Sequence, residues 1–125
     1  MTRVLVVDDS PVMRRYVARS LTMTGLEVSI YEAGNGSDAI AIASDIRPDF
    51  VITDLNMPGM SGSELVARMH ADPGLRRVPV LVLSADRGRS RASELLDAGA
   101  VAYLTKPATP ELLRHTLMTA LGGRP

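Results

Sequence analysis

The sequence of 125 residues contains no cysteine and no tryptophan, and it has only one phenylalanine and three tyrosines. Disulfides, zinc–thiolate sites and thiol nucleophiles are therefore excluded. The core has to be mainly aliphatic, because hydrophobic residues make up 46% of the chain and aromatic residues only 3%. Fourteen basic and fourteen acidic residues cancel, so the net charge favours neither nucleic acid nor an anionic membrane as a partner.

Lysine is nearly absent too: of the fourteen basic residues Lys106 is the only lysine, so the other thirteen are arginines. Long hydrophobic runs are also missing, and the apolar stretch at residues 4–7 is too short for a membrane span or a signal-peptide core. We expect one cytoplasmic domain over residues 1–121, followed by a short flexible tail at 122–125.

Five short apolar runs alternate with segments that have helical spacing. The runs are rich in Val, Leu and Ile, which is typical of strands buried on both faces of a parallel sheet. They cover residues 4–7, 28–31, 50–53, 80–83 and 101–104. The apolar positions of the intervening segments are Met13, Val17 and Leu21; Ala39, Ile40, Ile42 and Ala43; Leu65, Val66 and Met69; Leu95 and Leu96; and Leu112, Leu113 and Leu117. The alternation predicts a single α/β domain, with a parallel sheet covered on both sides by helices.

Local signals mark the ends of several predicted helices. Ser10-Pro11 and Thr109-Pro110 each provide an N-cap followed by proline at the first helical position. Ser61 and Glu64 have the spacing of a capping box. Gly25 and Gly99 stand where two helices are expected to stop.

Polar residues follow four of the predicted strands at the point where each strand ends. Asp8 and Asp9 follow the first strand, Asp54 the third, Ser84 the fourth and Lys106 the fifth. The carboxyl ends of parallel strands share one sheet edge, where open α/β sheets bind ligands, so we expect these side chains to converge. Three clustered carboxylates repel one another unless cations offset their charge. Oxygen ligands without His or Cys favour Mg²⁺.

These residues occur in motifs that resemble the signature of response-regulator receiver domains. The motifs are Val6-Val7-Asp8-Asp9-Ser10, Thr53-Asp54-Leu55-Asn56-Met57-Pro58-Gly59-Met60-Ser61-Gly62, Leu83-Ser84-Ala85 and Thr105-Lys106-Pro107. They extend over nearly the whole chain. Asp8-Asp9-Ser10-Pro11, followed by Met13-Arg14-Arg15, is similar to the stand-alone chemotaxis regulators of the family. The resemblance implies a flavodoxin-like, doubly wound (βα)5 fold and a phosphorylation-switched module of a two-component system.

The resemblance also implies a phosphoryl acceptor and a metal site. Asp54 corresponds to the phospho-accepting aspartate. Mg²⁺, for which Mn²⁺ could substitute, would be bound by the carboxylates of Asp9 and Asp54, by the backbone carbonyl of Asn56, and by Asp8 through water.

Further roles follow from the same resemblance. Lys106 would contact the phosphoryl group, Ser84 would supply the switch hydroxyl, and Tyr103 holds the position of the aromatic switch residue. We expect a cis bond between Lys106 and Pro107. Asn56 and Asp86 would modulate dephosphorylation, and Met13, Arg14, Arg15 and Pro107 are candidates for kinase docking.

The expected partners are a sensor histidine kinase or phosphotransfer domain and a downstream target protein. The target would bind the surface formed by the fourth helix, fifth strand and fifth helix. Receivers that dimerise through this surface often have acidic residues where Val101-Ala102 stand and an aromatic residue where Ala108 stands. Their absence favours a monomer, and we expect neither nucleic acid nor membrane as a partner.

Two alternative functions use the same residues. One is a Mg²⁺-dependent phosphohydrolase of the haloacid-dehalogenase type, which also has a strand-end Asp nucleophile. That class needs a second Asp two positions later, where this chain has Asn56, and usually a cap insertion. The other is a pseudo-receiver that binds partners without phosphate, against which the complete set of site residues argues.

Overall fold

The apolar runs form five strands in the structure, a computed structural model that describes residues 1–85 and 89–122. The strands are β1 (Thr2–Val7), β2 (Val28–Ala33), β3 (Phe50–Asp54), β4 (Val80–Ser84) and β5 (Ala102–Thr105). The helices are α1 (Pro11–Thr22), α2 (Gly36–Ile46), α3 (Gly62–Ala71), α4 (Arg89–Asp97) and α5 (Pro110–Leu121). Neighbouring strands are parallel, in the order β2-β1-β3-β4-β5, which is the flavodoxin-like arrangement. The predicted α/β fold is confirmed.

Two hydrophobic cores lie on the two faces of the sheet, because successive side chains of a strand point in opposite directions. Leu5 and Val7 belong to the core formed with α2, α3 and α4. Val4 and Val6 belong to the core formed with α1 and α5. All four are at most 1% exposed, and burial of one such side chain contributes about 1.5–3 kcal/mol. The central strands are thus fixed from both sides, which makes their carboxyl ends a rigid support.

Side-chain caps start the helices where the sequence predicts them. Ser10, Ser61 and Thr109 each accept a hydrogen bond from the backbone N–H three residues later. Asn35 caps α2 in the same way. The carboxylate of Glu64, the other member of the predicted capping box, lies 3.2 Å from the Arg68 guanidinium.

Burial on both faces holds for the central strands but not for the edge strands. Residues 102–105 of β5 are all only partly buried, as are residues 28–31 of β2. Each of these strands has a neighbouring strand on one side only, and the helices cover it less completely than they cover the central strands. Val101, predicted to begin the fifth strand, lies before it and is 45% exposed.

Two predicted core leucines are also exposed. Leu96 is 46% exposed and Leu112 is 39% exposed, whereas their neighbours Leu95 and Leu113 are buried. Adjacent helical residues are 100° apart, so one member of each pair faces the sheet and the other turns away from it. The leucine pairs predicted the helices correctly but could not show which leucine is inside.

The glycines that mark the helix ends lie beyond the last helical residue. Gly99 comes two residues after the end of α4, and Gly25 three residues after the end of α1, where Met23 is the C-cap. Both have positive φ, +119° and +81°, a conformation that glycine adopts at little cost. Among the described helices, none is both long enough and apolar enough to cross a bilayer. The predicted tail falls largely on residues 123–125, outside the described residues.

Candidate functional site

The strand register brings the polar strand ends to one edge of the sheet. Val7 of β1 pairs with Thr53 of β3, and Ser84 of β4 pairs with Thr105 of β5. Asp54 is the last residue of β3 and pairs with Leu83 of β4. The residues that follow these positions therefore lie side by side at the carboxyl ends of the strands.

Three carboxylates converge at this edge, as the sequence predicts. One oxygen each from Asp8, Asp9 and Asp54 lie within 4.8 Å of one another. Asp8 is buried, Asp9 is exposed, and the Asp54 side chain is 11% exposed. The cluster therefore opens to solvent on the Asp9 side. A donor set made only of oxygens, with net negative charge, fits a hard divalent cation such as Mg²⁺.

Lys106 bridges two of the three carboxylates. Its Nζ lies 3.0 Å from Oδ1 of Asp54 and 3.4 Å from Oδ2 of Asp8. The backbone N–H of Lys106 donates to the carbonyl of Ser84, which ties the residue to the end of β4. The bond from Lys106 to Pro107 is cis, as expected. One cation against three carboxylates leaves the site with negative charge to offset.

The environment shifts the pKa values of both Asp8 and Lys106. Burial raises the pKa of the Asp8 carboxyl above its ordinary value of 3.8, and the Asp54 charge adds to this effect; a hydrogen bond from the Ser10 N–H and the Lys106 charge oppose it. Burial lowers the pKa of Lys106, but the hydrogen bond and charge of Asp54, together with Asp8, outweigh it and raise the pKa above 10.5. Lys106 therefore carries its positive charge at neutral pH.

The structure shows the positions of three of the remaining predicted site residues. Asn56 is exposed in the loop after β3. Ser84 is fully buried at the end of β4. Tyr103 is partly buried on β5, pairs with Val82 and packs against the core formed with α2, α3 and α4. Asp86 lies outside the described residues.

The four predicted docking residues differ in their exposure. Arg15 and Pro107 are exposed, while Met13 is partly buried in α1. The partly buried Arg14 guanidinium makes two contacts within the chain: its Nη1 donates to the backbone carbonyl of Asp8 at 2.7 Å, and its Nε donates to Glu32 at 3.0 Å. Arg14 thus contacts the turn that carries Asp8, and these contacts do not by themselves support a role in kinase docking.

Gly62 is a site residue for which the sequence pattern gave no role. A Cβ at this position would lie 2.3 Å from the backbone oxygen of Asp54 and 2.8 Å from the Cα of Leu55. The Gly62 N–H also donates to the Leu55 carbonyl at 2.8 Å. The first turn of α3 thus packs directly against the end of β3. The sequence contained one sign of this close contact. Glycine follows the N-cap Ser61 directly, at a position where capping a helix does not require glycine.

Comparisons with known proteins agree with this geometry. A family model described as the response regulator receiver domain matches residues 4–118. Chemotaxis protein CheY1 of Helicobacter pylori strain J99 is 35% identical over 121 residues, covering 96% of this chain and 97% of the relative. CheY-3 of Vibrio cholerae is 37% identical over 115 residues, which is 92% of this chain and 88% of the relative.

A solved structure shows the same fold at similar identity. The chemotaxis protein CheY4 of Vibrio cholerae superposes with a TM-score of 0.85 at 36% identity, covering 97% of this chain and 99% of that one. The fold, the strand-end cluster and the relatives agree, and we conclude that this chain belongs to the response regulator receiver domain family, a family of signalling domains.

Proposed function

We propose that this domain accepts a phosphoryl group on Asp54 from the phosphohistidine of a sensor kinase or phosphotransfer domain, and that the modification alters its partner-binding surface. The observation that carries the proposal is the position of Asp54. Its carboxylate ends a central strand, is 11% exposed, lies 3.0 Å from the Lys106 ammonium and faces two further carboxylates. An ion pair between Lys106 and Asp54 with a purely structural role would not require the carboxylates of Asp8 and Asp9.

The transfer itself requires little beyond positioning and charge. A carboxylate oxygen of Asp54 attacks phosphorus, a P–O bond forms as the P–N bond breaks, and the imidazole leaves with the electron pair. The product is an acyl phosphate. Because phosphoryl transfer has a loose transition state, catalysis consists mainly of neutralising the equatorial oxygens, and Lys106 is placed to contact one of them.

Asp9 and Asp54 would hold Mg²⁺ through their carboxylates and Asn56 through its backbone carbonyl, with Asp8 acting through water; Mn²⁺ could substitute. When bound, the metal supplies the positive charge that Lys106 alone cannot provide against three carboxylates and a phosphoryl group. The exposure of Asp9 supports a direct role, since a metal that keeps several waters needs an open side. We also propose that Asn56 and Asp86 set the rate at which the acyl phosphate is hydrolysed.

The proposed output surface consists of α4, β5 and α5. Leu96, Val101 and Leu112 belong to these elements or directly precede them, and all three are at least 39% exposed. Ser84 and Tyr103 lie on the neighbouring strands β4 and β5 that connect this surface with the phosphorylation site. We propose that the Ser84 hydroxyl moves toward the phosphoryl group and that Tyr103 turns inward, so that a target protein binds the altered surface of a monomer.

Phosphorylation from a small donor tests the proposal. With radiolabelled acetyl phosphate and Mg²⁺, the protein should take up one phosphoryl group per chain, and hydroxylamine should release it. Asp54→Asn should take up essentially none. Asp45→Asn, which removes an exposed carboxylate of α2, is the matched control and should label like the wild type.

The same assay separates the alternatives. Equal labelling of Asp54→Asn and the wild type would show that the acceptor is another residue. Continuous turnover of a generic phosphate ester would indicate the phosphohydrolase. An intact wild type that takes up no label would indicate a receiver that works without phosphate.

A further inference from the structure

Arg14 connects the acidic turn after β1 to the neighbouring strand β2. From the first turns of α1, its Nη1 donates to the Asp8 carbonyl at 2.7 Å and its Nε to Glu32 Oε1 at 3.0 Å. Glu32 lies on β2, where it pairs with Val6 of β1. The Arg14 side chain is 20% exposed, so the guanidinium is largely shielded from solvent. One planar cation thus contacts a backbone oxygen of the turn after β1 and a carboxylate of the neighbouring strand β2.

The carbonyl that Arg14 binds belongs to the peptide unit that joins Asp8 to Asp9. A peptide unit is planar, so the Asp8 carbonyl and the Asp9 N–H lie in one plane. The Asp8 residue is also held by its own N–H, which donates to the Ala33 carbonyl, and by its carboxylate, which accepts from Ser10. The exposed Asp9 side chain has less packing of its own to orient it. The peptide plane that Arg14 holds is therefore one constraint on the direction of the Asp9 side chain.

We propose that Arg14 is a positioning residue for divalent-cation binding: it fixes the Asp8–Asp9 peptide so that the Asp9 carboxylate faces those of Asp8 and Asp54. This inference rests on the metal site of the proposed function. Arginine suits the task because its fork carries several N–H donors in a fixed plane and can bind two acceptors at once. Lysine in its place keeps the charge but loses the planar fork.

The direction in which the Mg²⁺ affinity changes when Arg14 is replaced distinguishes a positioning role from a purely electrostatic one. Arg14 is a cation close to a cation site, so loss of its charge alone should strengthen Mg²⁺ binding. Loss of positioning should weaken it. Arg15 is the next residue, is exposed and carries the same charge, which makes Arg15→Gln the matched control.

The experiment measures the dissociation constant for Mg²⁺ by calorimetry on chelator-treated protein, together with the free energy of unfolding. Arg14→Gln should bind Mg²⁺ about tenfold more weakly than the wild type, since loss of an outer-shell contact typically costs at least that much. Arg15→Gln should bind equally well or slightly more tightly. The dissociation constant of Arg14→Lys for Mg²⁺ should lie between those of Arg14→Gln and the wild type. If Arg14→Gln does not fold, Arg14→Lys is the variant that tests the proposal.

Glu32→Gln tests whether the two contacts of Arg14 act together. It should weaken Mg²⁺ binding less than Arg14→Gln, and the double variant should bind no more weakly than Arg14→Gln alone, because both changes disrupt one network. If Arg14→Gln loses stability but binds Mg²⁺ like Arg15→Gln, Arg14 only supports the fold and the inference is wrong. If the wild type itself binds no Mg²⁺, the metal site of the proposed function fails, and the positioning role fails with it.

Discussion

The Asp8 carboxylate is buried next to another carboxylate and is only partly compensated. Its side chain is 5% exposed, with Lys106 at 3.4 Å and the Ser10 N–H at 2.9 Å. Burial nevertheless raises its pKa, as does the charge of Asp54. A raised carboxyl pKa means that the folded protein disfavours the charged form more than the unfolded chain does. Without metal, ionised Asp8 therefore lowers the stability of the fold.

Asp8→Asn should accordingly raise the free energy of unfolding of the metal-free protein at pH 7. The amide keeps the shape and can accept from Ser10 without carrying the buried charge. The gain over wild type should shrink as pH falls through the raised pKa of Asp8 and vanish below the ordinary value of 3.8, where Asp8 is protonated in both states. Urea unfolding at a series of pH values in EDTA measures this. A variant less stable than wild type at pH 7 would show that the charge stabilises the fold.

The neighbouring acids should differ in their effect on metal binding. Asp9→Ala should weaken Mg²⁺ binding by more than tenfold, because Asp9 is proposed to coordinate the metal directly. Asp8→Ala should weaken Mg²⁺ binding less, because Asp8 is proposed to act through water. Mg²⁺ titrations followed by amide chemical shifts give both constants. The reverse order would mean that the buried carboxylate is the direct ligand.

At the scale of elements, the junction of β3 and α3 decides where Asp54 stands. Ser61 caps α3 by accepting from the Glu64 N–H, and Gly62 allows the helix to approach the backbone of Asp54 and Leu55. The Thr53 hydroxyl donates to the same Asp54 carbonyl at 3.0 Å. The end of β3 is therefore fixed by contacts to its backbone, in addition to the packing of its side chains.

Gly62→Ala should be strongly destabilising, although helix propensity alone favours alanine by up to about 1 kcal/mol. The added Cβ would lie 2.3 Å from a backbone oxygen, and overpacking of this kind costs about 1–3 kcal/mol or more. Gly74→Ala is the control, since its Cβ would approach only the Asp72 side chain, at 3.3 Å. Thermal unfolding of both variants measures the difference. Equal stability of Gly62→Ala and wild type would show that α3 can shift without cost.

The sequence of the fifth run did not show that it forms an edge strand. The run at 101–104 is as apolar as a central strand, yet β5 has one neighbour and is only partly buried. Strand order depends on which runs pair, and pairing is a long-range property that no local pattern of Val and Leu contains. The starts of α1, α3 and α5 were predicted correctly because a cap such as Ser10 or Thr109 acts within three residues.

At the scale of the whole molecule, the proposed function requires that phosphorylation of Asp54 alter the surface of α4, β5 and α5. Ser84 ends β4 and pairs with Thr105, one residue before Lys106, while Tyr103 pairs with Val82 two residues earlier on β4. The two adjacent strands therefore carry both of the residues proposed to act as the switch. A phosphoryl group can shift an equilibrium between two states only by its different interaction with each of them. We expect the Ser84 hydroxyl to provide that difference.

Ser84→Ala should leave phosphorylation of Asp54 largely intact while removing its effect on the surface. Amide spectra with and without beryllofluoride, which stands in for the phosphoryl group, should show wild-type shifts at Tyr103 and residues 89–97 that are mostly lost in the variant. Ser29→Ala on the opposite edge strand β2 is the control and should keep the full response. Full shifts in Ser84→Ala would show that another contact transmits the signal.

The sequence by itself determined the fold class, the starts of α1, α3 and α5 and the identity of the strand-end residues, because these depend on periodicity, on capping within three residues and on motif spacing. Tertiary structure alone decided that Leu95 and not Leu96 is buried, that Arg14 holds the Asp8 carbonyl, and that Gly62 lies against Asp54. Each of these features depends on how a helix packs against the sheet, even where the residues in contact are close along the chain, as Arg14 and Asp8 are. Their energies arise only when the sheet order is fixed and the faces of the helices have been assigned to it.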